Sequence, residues 1–360
     1  MSDELVLLLG THGHHIHSAR FDPKSLSLTY GTKTPFSENP SWLSRHPTQE
    51  GIIYSNGHAN GKVFCVKHGP DGSVEVLDEA DSGGGGPTHL AVLNDLSGLA
   101  IAHYNTGNVT VVPLDGQGRF LSSSISPPNN FIPPYTPHSH ARQEGPHAHQ
   151  IVVVDDQVLV PDLGSNTIWR LKWSEPNGWE LVGDIKGFQE GDGPRHCVVH
   201  LSGKYIYVLN EITSVLTVHT LPTSGPSQLL NRLTLLPEED EPHENLMGAA
   251  EIVLLPPLTP TSPTLLICSN RDSPNPQGDA LALFSVSPDG SQVTRTEQEW
   301  VKGVGKHLRG LTVDKTGKWV CCAARNGGGV VIFERVGKDG LELKEVARLD
   351  LDTTVAPLWI

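Results

Sequence analysis

Seven similar β-sheets, arranged as an all-β, seven-bladed β-propeller, are the fold that this 360-residue sequence predicts. Three observations predict it: helical periodicity is almost absent, a strand-turn-strand unit returns seven times, and a second short motif precedes six of those units. Short β-branched and aromatic runs bounded by Gly, Pro, Asn and Asp read as strands joined by turns. The 37 glycines and 28 prolines make up about 18% of the chain, against roughly 12% in average proteins, so many turns are needed.

The hairpin unit appears first as LVLLLGTHGHHIHSARFD from Leu5, then as IIYSNGHANGKVFCV from Ile52 and LAIAHYNTGNVTVVPL from Leu99. It returns as VLVPDLGSNTIWRLKW from Val158, YIYVLNEITSVLTVHTL from Tyr205, LLICSNRDSPNPQGDALALFSV from Leu265 and WVCCAARNGGGVVIFERV from Trp319. Turn landmarks at Thr11, Asn56, Asn105, Asp162, Asn210, Asn270 and Ala324 are 45, 49, 57, 48, 60 and 54 residues apart. A period near 50 residues with paired strands is the signature of a propeller with one four-stranded sheet per repeat. An unrepeated sandwich would not return to one pattern seven times.

The second motif leads into a further strand: NPSWLSRHP, GPTHLAVLN, GPHAHQIVVVD, GPRHCVVHL, GAAEIVLLP and HLRGLTVD. The first hairpin has no such predecessor, and VAPLWI, Val355 to Ile360, supplies the missing copy. Blade 1 is then completed by N- and C-terminal strands, which closes the ring and removes two sheet edges that invite aggregation. A single domain over 1–360 is expected. The Pro-rich stretch Ser126 to Pro137 and the acidic segment Pro237 to Glu244 read as long loops between strands, each a lid or a mobile surface loop.

With 26 basic and 40 acidic side chains the net charge is −14, which disfavours sequence-independent nucleic-acid binding. The early apolar run Leu5 to Leu9 is short and follows Asp3 and Glu4, so neither a signal peptide nor a membrane anchor is expected, and the cytoplasm is the expected compartment. The five cysteines (Cys65, Cys197, Cys268, Cys321, Cys322) form no CxxC pair and suit reduced, buried thiols. Gly83 to Gly86 is no phosphate loop, since no Lys-Ser/Thr follows it, and no GxSxG elbow occurs.

In a propeller the lead segments converge at one mouth of a central channel. Here they carry His89, His147, His149, Arg195, His196, Glu251, His307 and Arg309, with Glu211 and Arg271 in the hairpin turns just beyond. His147 and His149 are two apart, so an extended strand points both to one face. That face offers a general base, a metal-ligand pair, or two satisfied structural histidines. His138 and His140 lie upstream, but no Cys or carboxylate stands at a supporting spacing, and a divalent site usually needs three or more protein ligands. No metal and no cofactor are therefore expected, and HGHHIH near the N-terminus reads as a solvated turn.

Arg195 follows a Pro-defined bend, and its forked donors match a carboxylate or phosphate. With Arg271 and Arg309 it would make a positive pocket in an acidic protein, suited to a small anionic ligand; a surface salt bridge is the plainer alternative. Glu211 is either an acid/base or orienting group facing His149, or a turn carboxylate paired with a neighbouring arginine. Glu251 is expected to hold Arg195 or Arg271, and His89 to add a substrate contact.

GPHAHQIVVVDDQVLVPDLGSNTIWRLKW, GDGPRHCVVHLSGKYIYVLNEITSVLTVHT and AAEIVLLPP followed by LLICSNRD resemble the seven-bladed propeller lactonase family. That family includes bacterial 6-phosphogluconolactonases and fungal 3-carboxy-cis,cis-muconate lactonising enzymes (carboxymuconate cyclases). The resemblance runs through nearly the whole chain and is weaker in blade 1 and the C-terminal segment. It implies functional groups at His149 in PHAH, Arg195 in GPRH, Glu211 in LNE and Arg271 in SNR.

The implied activity is metal-independent hydrolysis of a small anionic sugar-acid lactone. His149 would take a proton from water, and Arg195 would stabilise the oxyanion or grip a carboxylate. Arg271 and Arg309 would fix a second anionic group, while Glu211 orients the imidazole or supplies the leaving-alcohol proton. On an unsaturated diacid the same groups would close a lactone instead, as a cycloisomerase. A metal-dependent, gluconolactonase-like enzyme and a non-enzymatic interaction platform are the other readings, and monomer and homo-oligomer both remain open.

Overall fold

Strands fill the computed structural model, which describes residues 4–123 and 129–360, and they form seven four-stranded sheets. Six sheets take four strands in chain order. Their first strands are Leu43–Arg45, Pro87–Val92, Val152–Val154, Pro194–Val199, Gly248–Leu254 and Leu308–Val313, opening blades 2 to 7. Blade 1 is different: Thr354–Trp359 lies beside Leu5–Thr11, followed by His15–Asp22 and Ser27–Pro35. The protein is a seven-bladed β-propeller in which strands from both ends of the chain share a blade. The first strands coincide with the six lead segments and the C-terminal copy, as expected.

By its internal contacts the chain divides into two compact units. One takes the chain up to Leu9, then Ala19–Tyr30 and His196–Ile360; the other takes Gly10–Ser18 and Gly31–Arg195. Within the second unit, Tyr54, Val63 and Cys65 of blade 2 pack on Leu90, Leu99 and Ile101 of blade 3. Val109 and Val111 of blade 3 pack on Val158, Val160 and Trp169 of blade 4. Within the first unit, Tyr207 and Leu216 meet Ile252 and Phe284, while Ile267 and Leu283 meet Val320 and Phe333. Leu7, Leu9 and Phe21 of blade 1 pack on Trp319 and Ile332 of blade 7.

Blades covered on both faces explain why the middle strands are continuous apolar runs without alternation: every residue of Trp319–Ala324 is buried. The adjacent Cys321 and Cys322 belong to that run. All five cysteines are free and buried, and burial raises each thiol well above its ordinary range.

Two local devices shape the leading strands. In blades 3, 6 and 7 the ladder to the second strand slips between Pro87 and His89, Ala249 and Ile252, and Leu308 and Gly310. Such a bulge re-aims the extra side chain, and it falls at Thr88, at Ala250 and Glu251, and at Arg309. The buried turn landmarks also anchor these strands. Asn56 Oδ1 accepts from the Trp42 N–H at 2.8 Å, and Asp162 Oδ1 from the His147 N–H at 2.7 Å.

Of the Pro-rich stretch, Ser126 to Pro128 lie outside the described residues. Just beyond it, Glu190 accepts from the Ser139 N–H at 2.9 Å and the Ser139 hydroxyl at 3.0 Å, and it contacts His138 at 3.1 Å. The acidic segment is docked instead of being a free surface loop. It leads into a 3-10 turn, Glu241–Leu246, and buried Asp240 accepts from the Ser273 hydroxyl at 2.8 Å while Glu239 pairs with Lys302.

Candidate active site

In the second unit, Tyr104 gathers the two histidines of the PHAH segment. The His147 ring stacks on Tyr104 with centroids 4.5 Å apart at 16°, and the His149 ring meets it edge-on at 5.7 Å. His147 is pinned three times. Its N–H donates to Asp162, its Nδ1 donates to the Tyr104 carbonyl at 2.7 Å, and its Nε2 faces Glu144 Oε1 at 3.2 Å. Both ring nitrogens thus face acceptor groups, a carbonyl and a carboxylate. Its own backbone N–H, and then His147, hold the Glu144 carboxyl below the usual carboxylate range. Gly107 makes the approach possible: its φ is +71°, and a Cβ there would meet the Pro146 carbonyl oxygen at 2.4 Å.

His149 is buried, with its N–H donating to the Pro161 carbonyl at 2.9 Å. His89 lies further into the packing, 4.2 Å from the Trp42 ring, and its Nδ1 accepts from the Ile151 N–H at 3.3 Å. Arg195, at the end of this unit, is only 2% exposed and is the bulkiest of the fully buried side chains.

In the first unit, Arg271 and Glu211 form a buried ion pair, Nη2 to Oε1 at 2.9 Å, with the residues 8% and 4% exposed. Arg271 Nε and Nη2 also donate to the carbonyls of Gly248 and Ala249, both at 3.0 Å. The glycine opening GAAE leaves room for this: a Cβ on Gly248 would lie 3.1 Å from Arg271 Nη2. Charge at Arg271 is thus offset locally, which narrows the positive pocket expected from sequence. Glu251, expected to hold Arg195 or Arg271, binds His196 Nδ1 at 2.7 Å and also accepts from the Ile252 N–H at 3.0 Å. Arg309 is half-buried in the blade 7 bulge.

One further cluster forms where blade 6 leads into blade 7. His307 Nδ1 donates to Asp272 Oδ1 at 2.9 Å, and both residues have left-handed backbones, φ +61° and +67°. Buried Asp279 ties the two segments together by accepting from the N–H groups of Ser273, His307 and Leu308. Burial pushes the Asp279 carboxyl up, against those donors; the His307 hydrogen bond is the main influence holding Asp272 down.

The sequence reading missed Tyr104, Asp162, Asp272 and Asp279. Asp162 was legible as a turn landmark, whereas Asp272 and Asp279 flank the SNRD turn with no signal of which backbone groups they reach. Among the described residues, no group of three or more His, Cys, Asp or Glu side chains is placed to hold a metal ion, and no helix is long and apolar enough to cross a membrane.

The profile of the family described as "Lactonase, 7-bladed beta-propeller" matches residues 7–356. The chain belongs to that family and is an enzyme of the lactonase class. A 6-phosphogluconolactonase of Formosa agariphila is 23% identical over 339 residues, covering 90% of this chain and 89% of the relative. The 6-phosphogluconolactonase of Bacillus subtilis is 24% identical over 331 residues, covering 90% and 88%. Among solved structures, the periplasmic gluconolactonase PpgL of Pseudomonas aeruginosa superposes with a TM-score of 0.81 at 20% identity, covering 99% of each chain.

Proposed function

We propose that the protein, working as a single propeller, hydrolyses a small anionic sugar-acid lactone, with 6-phosphogluconolactone as the first substrate to try. The observation that carries this reading is a pair of buried guanidiniums, Arg195 and Arg271, in a chain of net charge −14. The forked donors of a guanidinium match carboxylate and phosphate oxygens, and the two curated relatives are named 6-phosphogluconolactonase.

His149 takes a proton from water as the oxygen attacks the lactone carbonyl carbon. Arg195 stabilises the oxyanion of the tetrahedral intermediate. Collapse of that intermediate breaks the bond from the acyl carbon to the ring oxygen, which leaves as an alcohol once protonated. Arg271, set by Glu211, and Arg309 bind the substrate's remote anionic group. We assign no metal to the reaction, on the ligand geometry of the described residues, and the cytoplasm as compartment, on the five free thiols.

Steady-state hydrolysis of 6-phosphogluconolactone, unchanged by chelator, is the expected result. His149→Ala and Arg195→Ala should each cost about 100-fold or more in kcat/KM with the fold retained. Turnover of carboxymuconate in place of the sugar lactone would transfer the same groups to a lactone-forming cycloisomerase. Activity lost to chelator and restored by calcium would overturn the metal-free assignment. Full turnover by both variants would overturn the site.

A further inference from the structure

A cavity of about 320 Å³ opens in the first unit where blade 5 meets blade 6, among the turns that hold His200, Pro260 and Pro288. Small-molecule sites begin at about 300 Å³. Thr264 lines the cavity, and Arg271 stands at the far end of the same eight-residue strand. At about 3.3 Å per residue the two are about 23 Å apart, so the cavity is separate from the Arg271–Glu211 pair. We propose that it is a second binding site, for an uncharged organic molecule with an apolar ring or chain and one carbonyl oxygen, which the Nε2–H of His200 meets.

The walls set the apolar part. Leu254, Leu255, Pro257 and Pro260 line the cavity, and no Asp, Glu, Lys or Arg does. Its hydroxyls give their protons to the protein itself: Ser262 to the Thr259 carbonyl at 3.0 Å, Ser287 to Asp289 at 2.6 Å, and Thr264 to the Leu255 carbonyl. A charged ligand would lose its hydration here and find no counter-charge. An apolar one gains by leaving water, and it would cover Leu201, which lines the cavity yet is 78% exposed.

His200 sets the polar part. It is 6% exposed and lines the cavity, with its turn locked by the Ser202 N–H, which donates to Nδ1 at 3.2 Å. The Ser202 hydroxyl also lies 2.9 Å from Nδ1. A ring nitrogen that accepts leaves the proton on the other one, so Nε2 is a donor. The Nδ1 edge packs on the next turn, where a Cβ on Gly290 would lie 2.5 Å from Nδ1. Nε2, on the opposite side of the ring, has no hydrogen-bond partner among the described residues. Burial above all lowers the ring's pKa, with Asp289 opposing, which keeps the imidazole neutral near pH 7. The turn itself does not require an imidazole. In blade 7 the matching sequence is DKTG in place of HLSG, and Asp314 accepts from the Thr316 N–H at 3.0 Å.

Prodan, an uncharged dimethylaminonaphthalene bearing one ketone, is the probe, added to the full-length protein. Saturable binding of one equivalent with blue-shifted emission is expected, at a Kd on the order of 100 μM for a ligand of this size. Dimethylaminonaphthalene without the ketone should bind about tenfold more weakly, the worth of one hydrogen bond. His200→Asp installs the residue that blade 7 uses and should weaken prodan about tenfold or more. Leu201→Glu puts a charge on the exposed lip and should weaken both naphthalenes about threefold or more. His46→Asp is the control: His46 Nδ1 holds the Thr48 N–H at 3.2 Å in blade 2 and does not line this cavity, so Kd should stay the same. Absence of saturable binding, equal affinity for the two naphthalenes, or a Kd unmoved by His200→Asp overturns the site. Should His200→Asp fail to fold, an unchanged Kd in Leu201→Glu overturns it alone.

Discussion

Replacing Glu211 by Gln tests the most consequential buried contact in the first unit. The two charges lie 2.9 Å apart with both residues under a tenth exposed, so their mutual attraction at an effective dielectric near 20 is about 6 kcal/mol before desolvation is counted. Breaking a buried pair by removing one partner costs about 3–5 kcal/mol, because the other charge stays behind. Arg271 would keep the carbonyls of Gly248 and Ala249, and the Gln carbonyl would replace one acceptor. We therefore expect the low end, about 3 kcal/mol, read as a lowered urea midpoint in tryptophan fluorescence. Arg271→Met and the double variant complete a cycle in which the double change is milder than Glu211→Gln alone. A loss below about 1 kcal/mol, with no coupling in the cycle, would mean that solvent screens the pair, and the account of a fixed Arg271 would fail.

Acid should destabilise the protein through His103. Its ring is fully buried, and desolvation lowers its pKa from 6.5 to about 4. The unfolded chain binds the proton first, so stability is complete above pH 6.5 and declines by about 3 kcal/mol as pH falls to about 4. His103→Asn should flatten that slope in urea midpoints taken across the range; an unchanged slope would refute it. Trp359→Ala removes a buried ring that meets Phe21 at 6.4 Å in blade 1, and should cost about 3–5 kcal/mol by the same unfolding assay. Glu190 is held down to about 2, first by the Ser139 N–H and then by His138. Its hold on Ser139 is present above the ordinary carboxylate range and is lost as pH falls toward 2. The protection of the Ser139 amide relative to a free peptide should fall over that interval, and its exchange should quicken at neutral pH in Glu190→Gln.

Blade number, blade order and the shared blade 1 were all legible because strand-turn-strand units leave a one-dimensional signal in residue type and spacing. A further repeat runs through the turns. Asp71, Asp95, Asp289 and Asp314 each accept from the N–H two residues on, at Ser73, Ser97, Ser291 and Thr316, all at 3.0 Å. The candidate residues were legible as types, and their partners were not. Nothing in AHYNTG or PHAH says that Tyr104 will lie against His147. Nothing in SNRD says that Asp272 will turn left-handed toward a ring 35 positions later. Partnerships of this kind depend on how far each strand runs before it turns, and a bulge of one residue changes which side chain arrives.

Blade 1 has a consequence for synthesis. Leu5–Thr11 is translated long before its neighbour Thr354–Trp359. Joining segments separated by a few hundred residues carries a loop-closure cost of about 5 kcal/mol on the (3/2)RT ln n scale. Until then the nascent chain presents a bare hydrogen-bonding edge to other polypeptides. A ribosome that stalls before Thr354 leaves that seam open, a natural handle for chaperones and proteases.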